Sequence, residues 1–131
     1  MKRATGPFEV KLTAQASDQQ PAEPTLGRML IDKQFHGELE AHSRGQMLTG
    51  GTSVKGSAGY VAIELVSGSL NGRIGTFILQ HSGTLNRGEP QLSVTVAPDS
   101  GTGELTGLTG KMAIDITGGK HAYDFEYTIG D

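Results

Sequence analysis

The chain has 131 residues, with no Cys, no Trp, 20 Gly, and 14 acidic against 11 basic side chains for a formal net charge of −3. That length suits one domain spanning residues 1–131, and the absence of cysteine removes disulfide scaffolds, thiolate zinc sites, iron–sulfur clusters and cysteine nucleophiles together. Lys and Arg are scattered, which leaves no basic stripe for nucleic acid, and no run approaches the roughly 18 apolar residues of a membrane span.

From the start of the chain, Met1-Lys2-Arg3 is followed by Ala4-Thr5-Gly6-Pro7-Phe8-Glu9, which is no apolar signal region, so the expected location is the cytoplasm. Hydrophobic periodicity is then almost everywhere two. Phe8, Val10 and Leu12 alternate with Glu9 and Lys11; Met29, Ile31, Phe35 and Leu39 alternate with Asp32, Gln34, His36, Glu38 and Glu40; Tyr123, Phe125, Tyr127 and Ile129 alternate with Asp124, Glu126 and Thr128. Such alternation marks half-buried strands, and no segment carries a sustained helical stripe. Residues 16–25, with Pro21 and Pro24 among polar neighbours, read as a surface loop. Asn71-Gly72 and Gly118-Gly119 read as two-residue hairpin turns, because both central residues must take positive φ. About eight strands follow, over residues 7–14, 27–41, 44–50, 57–69, 73–85, 90–97, 103–117 and 120–129. A sequential meander of that size removes its exposed edges by closing, so the expected fold is all-β, an antiparallel closed barrel, with a two-sheet sandwich as the alternative.

A two-residue turn fixes register and therefore faces. With Asn71-Gly72 as the turn, Val66 lies opposite Phe77, Glu64 opposite Leu79 and Ala62 opposite His81. One face then holds Ala62, Glu64, Val66, Phe77, Leu79 and His81, and the other holds Val61, Ile63, Leu65 and Ile78. The first face is assigned inward, since it sets the Phe77 ring beside small Ala62. That leaves Val61, Ile63, Leu65 and Ile78 as an outward apolar patch in need of a cover, and a homo-oligomer, as a dimer, is the expected partner. The alternatives are a reversed inside and outside, or the loop at 16–25 folded over the patch. The inward assignment also makes Glu64 and His81 diagonal neighbours, within reach of each other. Such a pair serves either as catalytic acid and base, with burial raising the carboxyl toward neutrality, or as a satisfied buried polar pair. In the second hairpin Met112 faces Phe125 and Ile114 faces Tyr123 on a core face, while Lys111 faces Glu126 on a solvated one.

Other motifs carry less. His36-Gly37-Glu38, with Gln34, Glu40 and His42 in line, has metal-ligand residue types, but no second His cluster converges on it and the same pattern describes a solvated strand face, so no metal is expected. Gly101 to Gly107 lacks the lysine and the strand-to-helix setting of a phosphate loop, and no nucleophile elbow occurs.

The blocks Ala62-Ile63-Glu64-Leu65-Val66-Ser67-Gly68-Ser69-Leu70-Asn71-Gly72-Arg73-Ile74-Gly75-Thr76-Phe77-Ile78-Leu79-Gln80-His81-Ser82-Gly83 and Pro98 to Gly110 resemble those of a family of small, mainly bacterial domains of unknown function. The resemblance extends from Gly6-Pro7-Phe8-Glu9-Val10 to the Tyr-rich last strand and implies an allene-oxide-cyclase-like barrel. It brings no activity with it: plant cyclases of that fold act on a fatty-acid epoxide in an apolar cavity, but no motif transfers their site residues to this chain. Relatives are expected to place a polar or basic residue beside the glutamate where this chain has Leu65, which makes the outward patch here more apolar.

The leading expectation is a barrel that binds a small apolar or amphipathic molecule in an interior lined by Phe35, Ala62, Phe77, Met112 and Phe125. The other two are an isomerase or cyclase using Glu64 and His81 without a cofactor, and a filled barrel acting through its outer patch.

Overall fold

A computed structural model describes residues 1–15 and 26–130; the loop expected at 16–25 falls outside them. Eight antiparallel strands, β1 (Lys2–Ala14), β2 (Leu26–Phe35), β3 (Leu39–Gly51), β4 (Ala58–Leu70), β5 (Arg73–Asn86), β6 (Glu89–Val96), β7 (Leu108–Thr117) and β8 (Lys120–Ile129), close into a barrel in sequence order. Period-two patterning sorts the faces as physical chemistry requires. On β4, Ala62, Glu64 and Val66 are buried inside while Val61, Ile63 and Leu65 stand half-exposed outside. Both tight hairpins have the expected register, with Glu64 opposite Leu79, Ala62 opposite His81 and Met112 opposite Phe125.

Three boundaries differ from the sequence reading. The first strand begins at Lys2 rather than near residue 7 because β1 serves two neighbours: Lys2 to Phe8 pair with β8, and Phe8 to Ala14 pair with β2. The run 27–41 is not one strand. Gly37, at φ 100°, turns the chain between β2 and β3, and the Tyr123 hydroxyl fastens the turn by accepting from the Leu39 N–H at 2.9 Å and donating to the His36 carbonyl at 2.7 Å. Phe35 and Leu39 are both buried on either side of the turn, so the alternation reads straight through it. The stretch 103–107 is likewise no strand. It contains a single 3-10 turn, Gly103–Leu105, held to the start of β5 by Thr102 N–H to Thr76 O at 2.8 Å and Ile74 N–H to Glu104 Oε1 at 3.0 Å.

These devices close one end. Leu39, Leu70, Leu105 and Leu108 are fully buried there, with Tyr127 among them, and Asn71 donates from its side chain to the Tyr127 hydroxyl at 2.6 Å. Above them Phe77 stacks on Phe125 with centroids 5.8 Å apart, and Phe35 meets Tyr123 edge-on at 5.5 Å. At the opposite end the inward-facing positions Leu12, Leu85, Leu92 and Ile116 stay 44–62% exposed. The barrel is filled at one end and open at the other.

Candidate functional site

Strand register stacks the inner surface of β3–β6 in rows. Nearest the open end lie Gly51, Ala58, Leu85 and Pro90, and below them Thr49, Tyr60, Gly83 and Leu92; the next row down is Met47, Ala62, His81 and Val94; below that come Gly45, Glu64, Leu79 and Val96. The top of this surface forms a cavity of about 430 Å³ whose walls include Met47, Thr49, Tyr60, Leu85, Pro90 and Leu92. Gly83 has a specific role in it: a Cβ there would collide with the Tyr60 ring, so glycine lets that ring lie across β5.

Beneath the cavity, over three successive rows, four polar side chains meet among buried residues: His81 in the Met47 row, Glu64 in the Gly45 row, and Ser43 with Lys33 in the row of Val66. Glu64 Oε2 accepts from Lys33 Nζ at 2.9 Å and lies 2.5 Å from His81 Nε2, while Glu64 Oε1 accepts from Ser43 Oγ at 2.6 Å. Glu64 and Ser43 are fully buried, and Lys33 and His81 are 5% exposed. Lys33 Nζ also stands 5.0 Å and 5.3 Å from the ring centroids of Phe8 and Phe35, a cation–π setting that compensates part of its lost hydration. Gly45, opposite Glu64, makes room for it, because a Cβ would strike the backbone of Ile63 and Glu64.

The carboxyl of Glu64 is subject to opposed influences. Burial pushes its pKa up, but the His81 hydrogen bond, the Lys33 charge and the Ser43 hydroxyl outweigh burial and hold it down at about 2. The expectation of a carboxyl raised toward neutrality is therefore corrected: Glu64 is a fixed anion. An anion only accepts, so His81 Nε2 carries the proton of their contact, and in the neutral ring Nδ1 is the nitrogen left as an acceptor. Tyr60, with its ring centroid 6.5 Å from that of His81, has its hydroxyl pKa raised by burial and by the Glu64 charge.

Of the residues singled out from sequence, Glu64 and His81 come together as expected. Phe35, Phe77 and Phe125 do not line the cavity; they are packed against other aromatic rings in the filled half, and Glu64 and His81 occupy the rows between Phe77 and the cavity. Met112 is buried in the same cluster, and Ala62, in the row of the cavity-lining Met47, does not itself line the cavity. Lys33, Ser43 and Tyr60 were missed. For Lys33 the signal was present, since the alternation that points Ile31 and Phe35 inward points residue 33 inward too. Val61, Ile63 and Leu65 are about half-exposed on the outer face and Ile78 is partly buried beside them.

The His36 row divides at the Gly37 turn. His36 bonds Glu9 and Glu40 at 2.9 and 3.3 Å, Glu38 accepts from the Thr5 N–H at 2.9 Å, and His42 lies 2.6 Å from Asp32. The Glu9 hydrogen bond raises the His36 pKa against a smaller opposing effect of burial, with Glu40 adding to the rise. Among the described residues, no group of three or more His, Asp or Glu side chains is arranged to hold a metal ion, and no helix is long and apolar enough to cross a membrane.

Comparison with known proteins agrees with this architecture. A solved structure of a protein of unknown function from the DUF3224 family, from Shewanella oneidensis MR-1, superposes with a TM-score of 0.93 at 51% identity, over 100% of this chain and 99% of that one. No curated protein matches. The family model described as protein of unknown function (DUF3224) matches residues 4–127, nearly the whole barrel including Lys33, Ser43, Glu64 and His81, and the chain belongs to the DUF3224 family.

Proposed function

We propose that this chain is a cytoplasmic binding barrel that takes one small apolar or amphipathic molecule at its open end. The apolar body of the ligand rests on Met47, Tyr60, Leu85 and Leu92, and its polar end approaches His81. The observation that carries this reading is the cavity of about 430 Å³ with apolar walls and a buried polar cluster beneath it. Its size falls within the roughly 300–1,000 Å³ of small-molecule pockets, and mostly apolar walls with a few convergent polar groups are what such pockets share. The expected kinship with allene-oxide-cyclase-like barrels belongs to the same proposal and rests on the sequence blocks alone.

Titration with the fluorescent probe 1-anilinonaphthalene-8-sulfonate tests it. Leu85 and Leu92 are 44% and 45% exposed at the rim, so Leu85→Glu and Leu92→Glu leave the core intact while placing charge where the apolar body sits. Both should weaken binding by about tenfold or more, the effect of losing on the order of 1.4 kcal/mol of apolar contact. Unchanged affinity in both would move the ligand out of this cavity. A native mass spectrum of gently purified protein would report any natural ligand retained.

The 2.5 Å contact between Glu64 and His81 supports a second reading, a cofactor-free isomerase or cyclase. Here Glu64 is the positioning residue, since a carboxylate held at about 2 has too little proton affinity to act as base at neutral pH. His81 exchanges the proton at Nδ1. Rearrangement of a molecule recovered from the protein, stopped by His81→Gln while the probe still binds, is the expected result. Unaltered turnover in that variant would remove the reading.

A further inference from the structure

The outer wall of β3–β5 breaks the rule that a barrel strand turns its polar side chains to water. Three successive outward positions of β4 are apolar, Val61, Ile63 and Leu65 at 51%, 49% and 51% exposure, before the column turns polar at Ser67 and Ser69. Leu48, 54% exposed, stands opposite Val61, and Ile78 stands opposite Leu65. Together these present roughly 400 Å² of contiguous apolar surface, within the roughly 300–600 Å² of the largest patch on a single chain, which is often functional. With the polar neighbours Arg44, Gln46 and Gln80, the footprint approaches the ~800 Å² per partner of a stable interface.

From this face we infer that the protein forms a twofold dimer through the outer surface of β3–β5, with Ile63 at the axis. Shape supports a second copy as the occupant. Gly45 lets β3 press inward onto Glu64, and the outward side chains of Arg44 and Gln46 form a ridge between two open depressions of about 810 and 520 Å³. An isologous contact needs a projection and a hollow side by side on one surface, so that each copy fills the other. Charge supports it as well. The charged flank of the patch is Arg28, Asp32 and Arg44 on β2 and β3, whereas the flank on β5 and β6 is Gln80, Ser82, Ser93 and Thr95. If the axis runs along β4, the charged flank of one copy covers the neutral flank of the other. That arrangement sets Arg44 over the second copy's Ile78 rather than over its own counterpart, so no like-charge repulsion opposes self-association.

Sedimentation velocity at about 100 µM, a concentration that populates even a micromolar dimer, is the first test. The wild-type chain should sediment at twice its 13.7 kDa mass, and Ile63→Asp and Leu65→Lys, both at half-exposed sites, should sediment at the single-chain mass with unchanged circular dichroism. Cross-linking locates the contact. The natural chain has no cysteine, so Ile63→Cys should give a covalent dimer on mild oxidation while Thr128→Cys, on β8, should not. A monomeric wild type, a dimer that survives both charge substitutions, or cross-linking at position 128 but not at 63 would each overturn the inference.

Discussion

Glu64 has no exposed surface and three donors on its two oxygens, and this fixes how it affects stability. Its folded pKa of about 2 lies below the ordinary 4.5, so the native state favours the ionised form. That contribution is fully present above pH 4.5 and is lost as the pH falls through 2, because there the folded carboxyl must also take a proton. A shift of that size corresponds to on the order of 3 kcal/mol. Urea midpoints measured from pH 7 to pH 2 should fall across that window, and in Glu64→Gln this acid limb should be largely absent. At pH 7, Glu64→Gln should itself cost about 3–5 kcal/mol, because Lys33 is left buried without a counter-charge. Replacing both partners, Lys33→Met with Glu64→Leu, should cost less than the single change. If the single and double variants lose equal stability, the value of the network lies in packing rather than in charge.

At the level of strands and turns, Asn71 shows how a local signal fixes a longer-range one. It sits at φ 48° in the turn between β4 and β5, a conformation that asparagine tolerates and most residues resist, and its side chain reaches the Tyr127 hydroxyl. Asn71→Gly keeps the backbone and removes that bond, so thermal or urea unfolding should show a loss of about 1 kcal/mol. Asn71→Ala loses both features and should cost about 2 kcal/mol or more; equal losses would assign the whole effect to the side chain. Turns of this kind could be read from sequence because two residues with a stringent φ requirement set the register of every pair above them, and that register brought Glu64 to His81. The Gly37 turn could not be read in the same way. Its defining contacts come from Tyr123, 86 positions away, and the inward phase is the same before and after it. Lys33 was hidden for a different reason: a lysine in an apolar phase looks like an irregularity until the carboxylate that neutralises it is known, and that carboxylate lies two strands along the barrel wall on β4. Sequence alternation gave direction to each side chain but not its distance from the open end, which is why Phe77 and Phe125 were expected around a void and are found in packed core.

Across the whole molecule, closure is uneven. β3 and β4 share thirteen register pairs, whereas β6 and β7 are joined by the single pair Thr95 and Lys111. Beyond that pair toward the open end, the facing sides of β6 and β7 have no ladder to protect them. Hydrogen exchange should therefore be at least about 100-fold faster for amides on the facing sides of β6 and β7 than for the paired amides of β3 and β4, as expected where local opening costs little. Equal protection would mean that the strands zip together in solution. Closure as such was foreseeable, because eight sequential strands leave two edges that can satisfy each other. The weak seam was not, since it depends on the chain between β6 and β7 leaving the sheet to plug the closed end with Leu105. The dual allegiance of β1 has a further effect: by pairing Lys2 with Tyr127, it sets the first and last strands side by side at the closed end. A short peptide linker between those ends would therefore convert the barrel into a covalent ring, or into permuted chains reopened at Gly118-Gly119, and fusion partners attached at either end would point away from the mouth.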